Sequence, residues 1–444
     1  MTTVASVDTQ QSLGTTGSIG LYKGGEELRR AVAALAGPSG EHRENGRPSS
    51  SHDSAAPPSA QAAQLIPISV KSADHSTREL AFAAQRYAKA AQKNPSDFES
   101  VYNHGLALQE LASRMASSRT EQMQLLEKAC ERYSAAWKMK PSSHSALYNW
   151  GVALSDMSRV LKSTDRTAAN ALLSEAADKY ATSLQHHANN PQALNNWGLV
   201  LQELSTMAAD HERAQLVRQS VQKFRQAIRL RPEFDRACYN LGTVYYSHAH
   251  TLSSAAAAQL SSQLTKDRQR EQQERADGVE VDYAFKLAAL YITLAFALQP
   301  KRDVYKRSLK VVRPLLPGGA LCYGKLQAVV PQTARTSHER WEARSFILDH
   351  TGFRESASGH LDAADGSRVA LEDVADVKPC MDPSLPAGHA FWVSLHSLPT
   401  GLYFVADNLE AAEGWVDAIL MAAHIAAGMQ LPALAHALTV EVAP

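Results

Sequence analysis

The sequence predicts an all-α solenoid of stacked helix pairs, followed by a small α+β domain in which a β-barrel is capped by a C-terminal helix. Three observations predict it. A two-part block recurs four times at near-constant spacing, the hydrophobic period switches from helical to alternating after residue 319, and the first 73 residues are rich in Ser, Thr, Gly, Ala and Pro. The chain of 444 residues is too long for a single ordinary core. It divides by pattern into 1–73, 74–300, 301–319, 320–430 and a tail over 431–444.

Residues 1–73 carry blocks such as Pro48-Ser49-Ser50-Ser51 and Pro57-Pro58-Ser59. Such a segment buries too little apolar surface to offset the entropy of ordering, so disorder is predicted, with one short helix over Glu26–Leu35.

From Asp74 the chain repeats itself. Tyr102-Asn103-His104-Gly105, Tyr148-Asn149-Trp150-Gly151, Asn195-Asn196-Trp197-Gly198 and Tyr239-Asn240-Leu241-Gly242 align. The glycines stand at intervals of 46, 47 and 44 residues, and 18 residues before each lies an aromatic: Tyr87, Tyr133, Tyr180 and Phe224. Four residues before each aromatic is Ala83, Ala129, Ala176 or Ser220, and a weaker fifth block is Ala288, Ile292 and Ala295. Prolines at 95, 141, 232 and 300 follow the second block, whereas Ala188 takes that position once and Pro191 opens the next helix instead. This pattern resembles the tetratricopeptide repeat, in which a glycine sits where two helices cross closely. A lone helix pair cannot bury its apolar face, so neighbours stack and leave a concave groove. The period exceeds the usual ~34 residues. The surplus falls in polar, proline-free stretches such as Ser113–Gln124, Ser158–Asn170 and Thr206–Gln215, which predicts lengthened helices. The longest insertion, Ser253–Asp277, predicts an exposed helix or loop.

In this repeat type the first helix of each pair lines the groove. Asn103, Asn149, Asn196 and Asn240 each carry an amide donor and acceptor able to clamp an extended peptide backbone. Tyr102, Tyr148 and Tyr239 offer flat contact area, and Glu110, Asp156 and Glu203 form an acidic rung that suits a basic peptide. The alternative reading of the asparagines is that they stabilise helix packing. Of the cations that chaperone-binding repeats use to hold a C-terminal carboxylate, only Arg236 falls at a groove position.

Lysines plus arginines number 45 and acids 45, so no global field pulls the chain toward nucleic acid or membrane. Residues 74–300 hold 26 bases and 23 acids, with no sustained basic face for nucleic acid. No phosphate loop, His-Glu-x-x-His helix or nucleophile elbow is present, so neither catalysis nor a cofactor is predicted. Cys130, Cys238, Cys322 and Cys380 lack metal-ligand spacing, and His186-His187 and His248/His250 are too few for a zinc site. No apolar run is read as a membrane span, and the N-terminus lacks signal-peptide regions, which predicts a cytosolic protein.

Lys301–Arg313 is a short basic amphipathic stretch with Lys301, Arg302, Lys306, Arg307 and Lys310 as candidate contacts to an acidic partner or lipid headgroup. Beyond Pro314–Gly319, strand-like runs fall at Gly324–Val330, Trp341–Leu348, Ser367–Leu371, Phe391–Leu395 and Gly401–Val405. A helix over Leu409–Met429 closes the pattern. Trp341–Leu348 and Asn408–Ile419, with Trp415, resemble the second strand and the tryptophan-bearing helix of a pleckstrin-homology domain. That resemblance implies that Trp415 plugs one end of a barrel and makes Arg344, with Arg335 and Arg340, candidate headgroup contacts. Against lipid binding, Ala328 stands where the first-strand lysine belongs, Glu342 is acidic, and residues 318–430 hold seven bases and fourteen acids.

Long-period repeats joined to this C-terminal domain resemble a plant and green-algal family of the trans-Golgi network and early endosome, known for hypersensitivity to latrunculin B. Tyr148–Asp156, Asn195–Leu204 and Leu309–Gly324 carry the likeness. It implies an adaptor between vesicle traffic and actin, with actin filaments and a guanine-nucleotide exchange factor as partners. The other readings are a phosphoinositide-recruited peripheral protein and a chaperone-type adaptor.

Overall fold

Short polar side chains set the helix boundaries of the repeat region. Asp74, Ser118, Ser143, Asp165 and Asn190 each accept a hydrogen bond from the backbone N–H three residues on, satisfying one orphan donor at a helix start. The computed structural model describes residues 74–114, 118–262, 267–330, 340–356, 368–398 and 400–439. The expected N-terminal disorder and the helix at 26–35 lie outside the described residues. The described chain forms two units, 74–213 and 214–439.

The first unit consists of α1 (His75–Lys93), α2 (Phe98–Arg114), α3 (Arg119–Met139), α4 (His144–Leu161), α5 (Arg166–His186) and α6 (Pro191–Ser205). Each helix packs on its neighbour in sequence, and α2 touches α4, and α4 touches α6. That is the contact pattern of a solenoid, in which each pair meets only adjacent pairs. The crossing is tight where the glycines stand. A Cβ on Gly105 would lie 2.8 Å from the Tyr133 ring, and one on Gly151 2.9 Å from the Tyr180 ring. Both rings are fully buried among Leu106, Leu125, Val152 and Leu173. Gly105 and Gly151 therefore each meet the aromatic of the helix that follows. The 18-residue spacing in the sequence links neighbouring pairs, and α2–α3 and α4–α5 are the pairs themselves.

The second unit begins within α7 (Asp210–Leu230). It continues through α8 (Asp235–Ser262), α9 (Asp267–Leu298), α10 (Asp303–Val312) and a 3₁₀ turn at Arg313–Leu315. Gly242 on α8 meets Ile292 on α9, with an added Cβ 2.7 Å from Cγ1, so the weak fifth block is the partner helix of the fourth glycine. Most of the insertion at 253–277 is helical in backbone, shared between α8 and α9. Contrary to the sequence reading, Glu280–Leu298 is 19 residues long and apolar enough to span a membrane. It is 72% buried inside the protein, as the core helix of this unit.

The strands β1 (Cys322–Val330), β2 (Arg340–Asp349), β3 (Gly352–Glu355), β4 (Arg368–Val369), β5 (Val374–Cys380), β6 (His389–Leu395) and β7 (Leu402–Ala406) form one antiparallel sheet in the order β4-β3-β2-β1-β7-β6-β5. β3 and β5 are additions to the sequence reading. The sheet curls into a half-barrel around Phe346, Phe353, Phe391 and Phe404, whose ring centroids lie 5.1–5.5 Å apart. Helix α11 (Leu409–Ala427) closes it, and the Trp415 ring meets Phe353 edge-on at 5.6 Å. α11 is buried on two sides, against β5–β7 and against α9. Gly414 permits the second contact, because a Cβ there would stand 3.1 Å from both Leu287 and the Tyr283 hydroxyl. Residues 431–439, expected as part of a tail, form α12, which buries Leu434, Ala437 and Leu438 and packs on α9.

Candidate functional site

On the first unit the candidate site is the face carried by α2, α4 and α6. Of the four asparagines expected to clamp a peptide, Asn149, Asn196 and Asn240 are buried and Asn103 is not. Asn149 is 2% exposed and its amide donates to the Tyr102 hydroxyl at 2.7 Å. Asn196 donates to the Tyr148 hydroxyl at 3.2 Å. Each bond joins successive first helices, so Asn149 and Asn196 act as staples between repeats, which is the packing alternative. Tyr102 and Tyr148 are buried with them and offer no flat outer surface. Asn240 and Tyr239, in the second unit, are also buried, and the Tyr239 hydroxyl lies 3.0 Å from that of Ser308 on α10.

Asn103, Glu110, Asp156 and Glu203 keep partial exposure. The acids are already partnered: Glu110 with Arg114 at 3.3 Å, Asp156 with Arg159 at 2.8 Å and Glu203 with Lys162. Gln109 ties this row to the core, accepting from the Tyr133 hydroxyl at 2.7 Å and donating to Asp156 at 3.4 Å. Burial raises the Asp156 carboxyl above its ordinary range despite Arg159. Beside the row, the Lys179 ammonium sits 4.0 Å from the centre of the Trp150 ring. His104 is pushed down to about 4 by burial, with Arg132 and Lys128 adding to the shift, so it is neutral at pH 7.

In the second unit the chemistry concentrates where α11 lies against the helices. Arg225 and Arg229 of α7 face Glu413 and Asp417 of α11. Asp417 is fully buried, accepts from the Tyr291 hydroxyl at 2.7 Å and from Arg229 at 3.1 Å, and forms an ion pair with Arg225 at 3.1 Å. Arg225 also pairs with Glu413, and the Tyr245 hydroxyl donates to Glu410 at 2.9 Å. Sequence reasoning missed this network. Its signal was present in two i,i+4 pairs of like charge, basic Arg225/Arg229 and acidic Glu413/Asp417, on separate helices, but nothing local says that the helices meet.

Of the candidate cations, Arg344 is engaged on both sides, by Glu355 at 2.7 Å and Glu342 at 3.0 Å. Arg335 and the side chain of Arg340 lie outside the described residues. On α10 and just before it, Lys301, Arg302, Lys306, Arg307 and Lys310 are all exposed, and Arg302 is held by Asp235 at 3.3 Å. Burial pushes the Cys130 and Cys322 thiols up to about 12, which leaves them unreactive near neutral pH. Among the described residues no group of three His, Cys, Asp or Glu side chains is arranged to hold a metal ion.

Residues 172–277 match the family model of the plant-specific mitochondrial import receptor subunit TOM20. The match covers under a quarter of the chain. Solved structures that resemble it include MamA, at 15% identity over 51% of this chain and 96% of that one, with a TM-score of 0.30. YrrB, described as a TPR protein with an unusual peptide-binding site, is 17% identical over 52% and 93%, with a TM-score of 0.26. A TPR-repeat protein of Bacteroides fragilis is 16% identical over 54% and 93%, with a TM-score of 0.27. No curated protein matches the sequence.

Proposed function

We propose that this protein is a non-enzymatic adaptor that holds an extended segment of a partner protein along the first helices of its repeats. The observation that carries the reading is the side-by-side contact of α2, α4 and α6, with partly exposed Asn103, Glu110, Asp156 and Glu203 displayed along them. A row of polar groups at a fixed repeat spacing suits the backbone and basic side chains of an unfolded peptide.

The C-terminal domain is read as pleckstrin-homology-like, supported by its strand order, its closing helix and Trp415 against the ring core. Its role is contact with protein. Arg344 is committed to two carboxylates, and the domain's acid excess disfavours an anionic lipid surface. The cellular setting, an adaptor between trans-Golgi or early-endosomal traffic and actin, rests on the family resemblance of the repeats and the inter-domain stretch. A second reading, a receptor at the mitochondrial surface, is favoured by the TOM20-type match over residues 172–277.

Imaging of the tagged full chain in a plant cell, with trans-Golgi and mitochondrial markers, tests the setting, together with co-sedimentation on actin filaments. The adaptor reading expects trans-Golgi puncta and filament association. A mitochondrial rim with no filament association replaces it with the second reading.

A further inference from the structure

Helix α10 is the last α-helix before the half-barrel, and its two faces differ sharply. Tyr305, Ser308, Leu309 and Val312 are buried. The Tyr305 ring lies 4.7 Å from that of Tyr239, and its hydroxyl donates to Asp235 at 2.7 Å. At about 100° per residue, Lys306, Arg307 and Lys310 fall within an arc of roughly 100° on the opposite side. All three are exposed, as is Lys301 just before the helix. The acid on that face is Asp303, 3.8 Å from Lys306. The packed face fixes how the cations are presented, so a binding partner meets a preformed row.

We propose that this row is a docking site for an acidic, unstructured segment of a partner protein. Charge complementarity names the chemistry, and two observations choose a peptide over a membrane. A helix that binds a bilayer buries its apolar stripe in it, and the stripe of α10 is already spent on Tyr239 and the interior. The half-barrel begins at Cys322, ten residues after the helix ends, and residues 318–430 hold seven bases and fourteen acids, a balance that disfavours an anionic bilayer. A narrow acidic peptide touches the helix alone. This site is separate from the face of α2, α4 and α6, so it stands or falls independently of the groove.

The test uses the full chain and a fluorescein-labelled peptide of alternating Glu, Gly and Asp, followed by anisotropy over a salt series. Wild-type binding is expected to weaken steeply with salt. The triple variant Lys306→Glu, Arg307→Glu, Lys310→Glu should lose about tenfold or more in affinity, since reversed charges repel the ligand. A control triple on exposed α1 positions, Arg78→Glu, Lys89→Glu, Lys93→Glu, should change affinity by less than about twofold. The substituted side chains on α10 are exposed, so circular dichroism should match wild type. No wild-type binding, equal binding by the α10 variant, or an equal loss in the control overturns the proposal. So does α10-dependent flotation of the full chain with phosphatidylserine-containing vesicles in the absence of peptide binding, which would assign the row to membranes.

Discussion

Arg225 and Asp417 meet 3.1 Å apart across 192 residues of sequence, with Asp417 wholly shielded from water. One residue lies on a repeat helix and the other on the helix that closes the half-barrel. Their contact makes α11 common property of two cores. The pair needs its surroundings, because burying ions costs more than their attraction returns unless further hydrogen bonds complete the site. Arg229, Tyr291 and Glu413 supply those bonds.

Asp417→Ala leaves Glu413 as the single carboxylate shared by Arg225 and Arg229 and is expected to cost about 3–5 kcal/mol. Tyr291→Phe removes two hydrogen bonds, one donated to Asp417 and one accepted from Arg225, and should cost about 2–3 kcal/mol. Denaturant unfolding with hydrogen exchange on α11 checks both. Loss of protection in α11 and α7 together is the expected signature, and a change confined to α11 would mean that the network does not couple them.

Gly105→Ala and Gly151→Ala should destabilise despite alanine's better helix propensity. The added methyl meets a buried tyrosine ring at 2.8–2.9 Å, and overpacking of this kind costs about 1–3 kcal/mol, against roughly 1 kcal/mol returned by propensity. Thermal unfolding of the two variants measures the balance, and an unchanged or higher midpoint would show that the rings move aside.

Asn149→Ala is expected to cost about 1–2 kcal/mol, because the buried hydrogen bond to the Tyr102 hydroxyl is lost. Tyr102→Phe should cost a similar amount, and the double variant less than the sum. Full additivity would mean that the two residues act separately.

These variants also mark what the sequence could and could not reveal. The repeat period, the glycines and the aromatic blocks were legible because close helix crossing demands small residues at fixed intervals. The direction of Asn149 was not, since a polar residue on a first helix has the same pattern whether it faces a ligand or the next repeat. β1, β2, β6 and β7 were legible as runs of alternating or continuous apolar residues. β3 escaped notice because it is four residues long after a tight turn, and Gly352, at φ 146°, breaks the run. β5 escaped because Asp376, Lys378 and Pro379 give it the composition of a loop, as edge strands often have. Helix α12 was read as tail although Leu434 and Leu438 are spaced for one helix face.

His104 supplies a pH dependence. Its folded-state pKa, about 4, lies below the ordinary histidine value, so the unfolded chain binds the proton more readily. The contribution is constant above about pH 7, is lost as pH falls from about 6.5 toward 4, and levels off below that. Stability measured across this window should decline less in His104→Gln than in wild type. Parallel curves would mean that His104 does not titrate with unfolding.

Arg344→Ala should change stability by no more than about 1 kcal/mol, since its two partners lie at the surface. Flotation of the full chain with phosphoinositide vesicles should be unaltered. Weakened flotation would restore Arg344 as a headgroup contact.

The face of α2, α4 and α6 is tested most directly by site-specific photo-crosslinking. The full chain would carry a photoreactive residue in turn at Glu110, Glu203, Glu127 and Gln185, mixed with the tightest peptide selected from a random library. Crosslinks at Glu110 and Glu203, which lie on first helices, with none at Glu127 and Gln185 on α3 and α5, are expected. Crosslinks at Glu127 or Gln185 alone would place the peptide on the opposite helices and contradict the account.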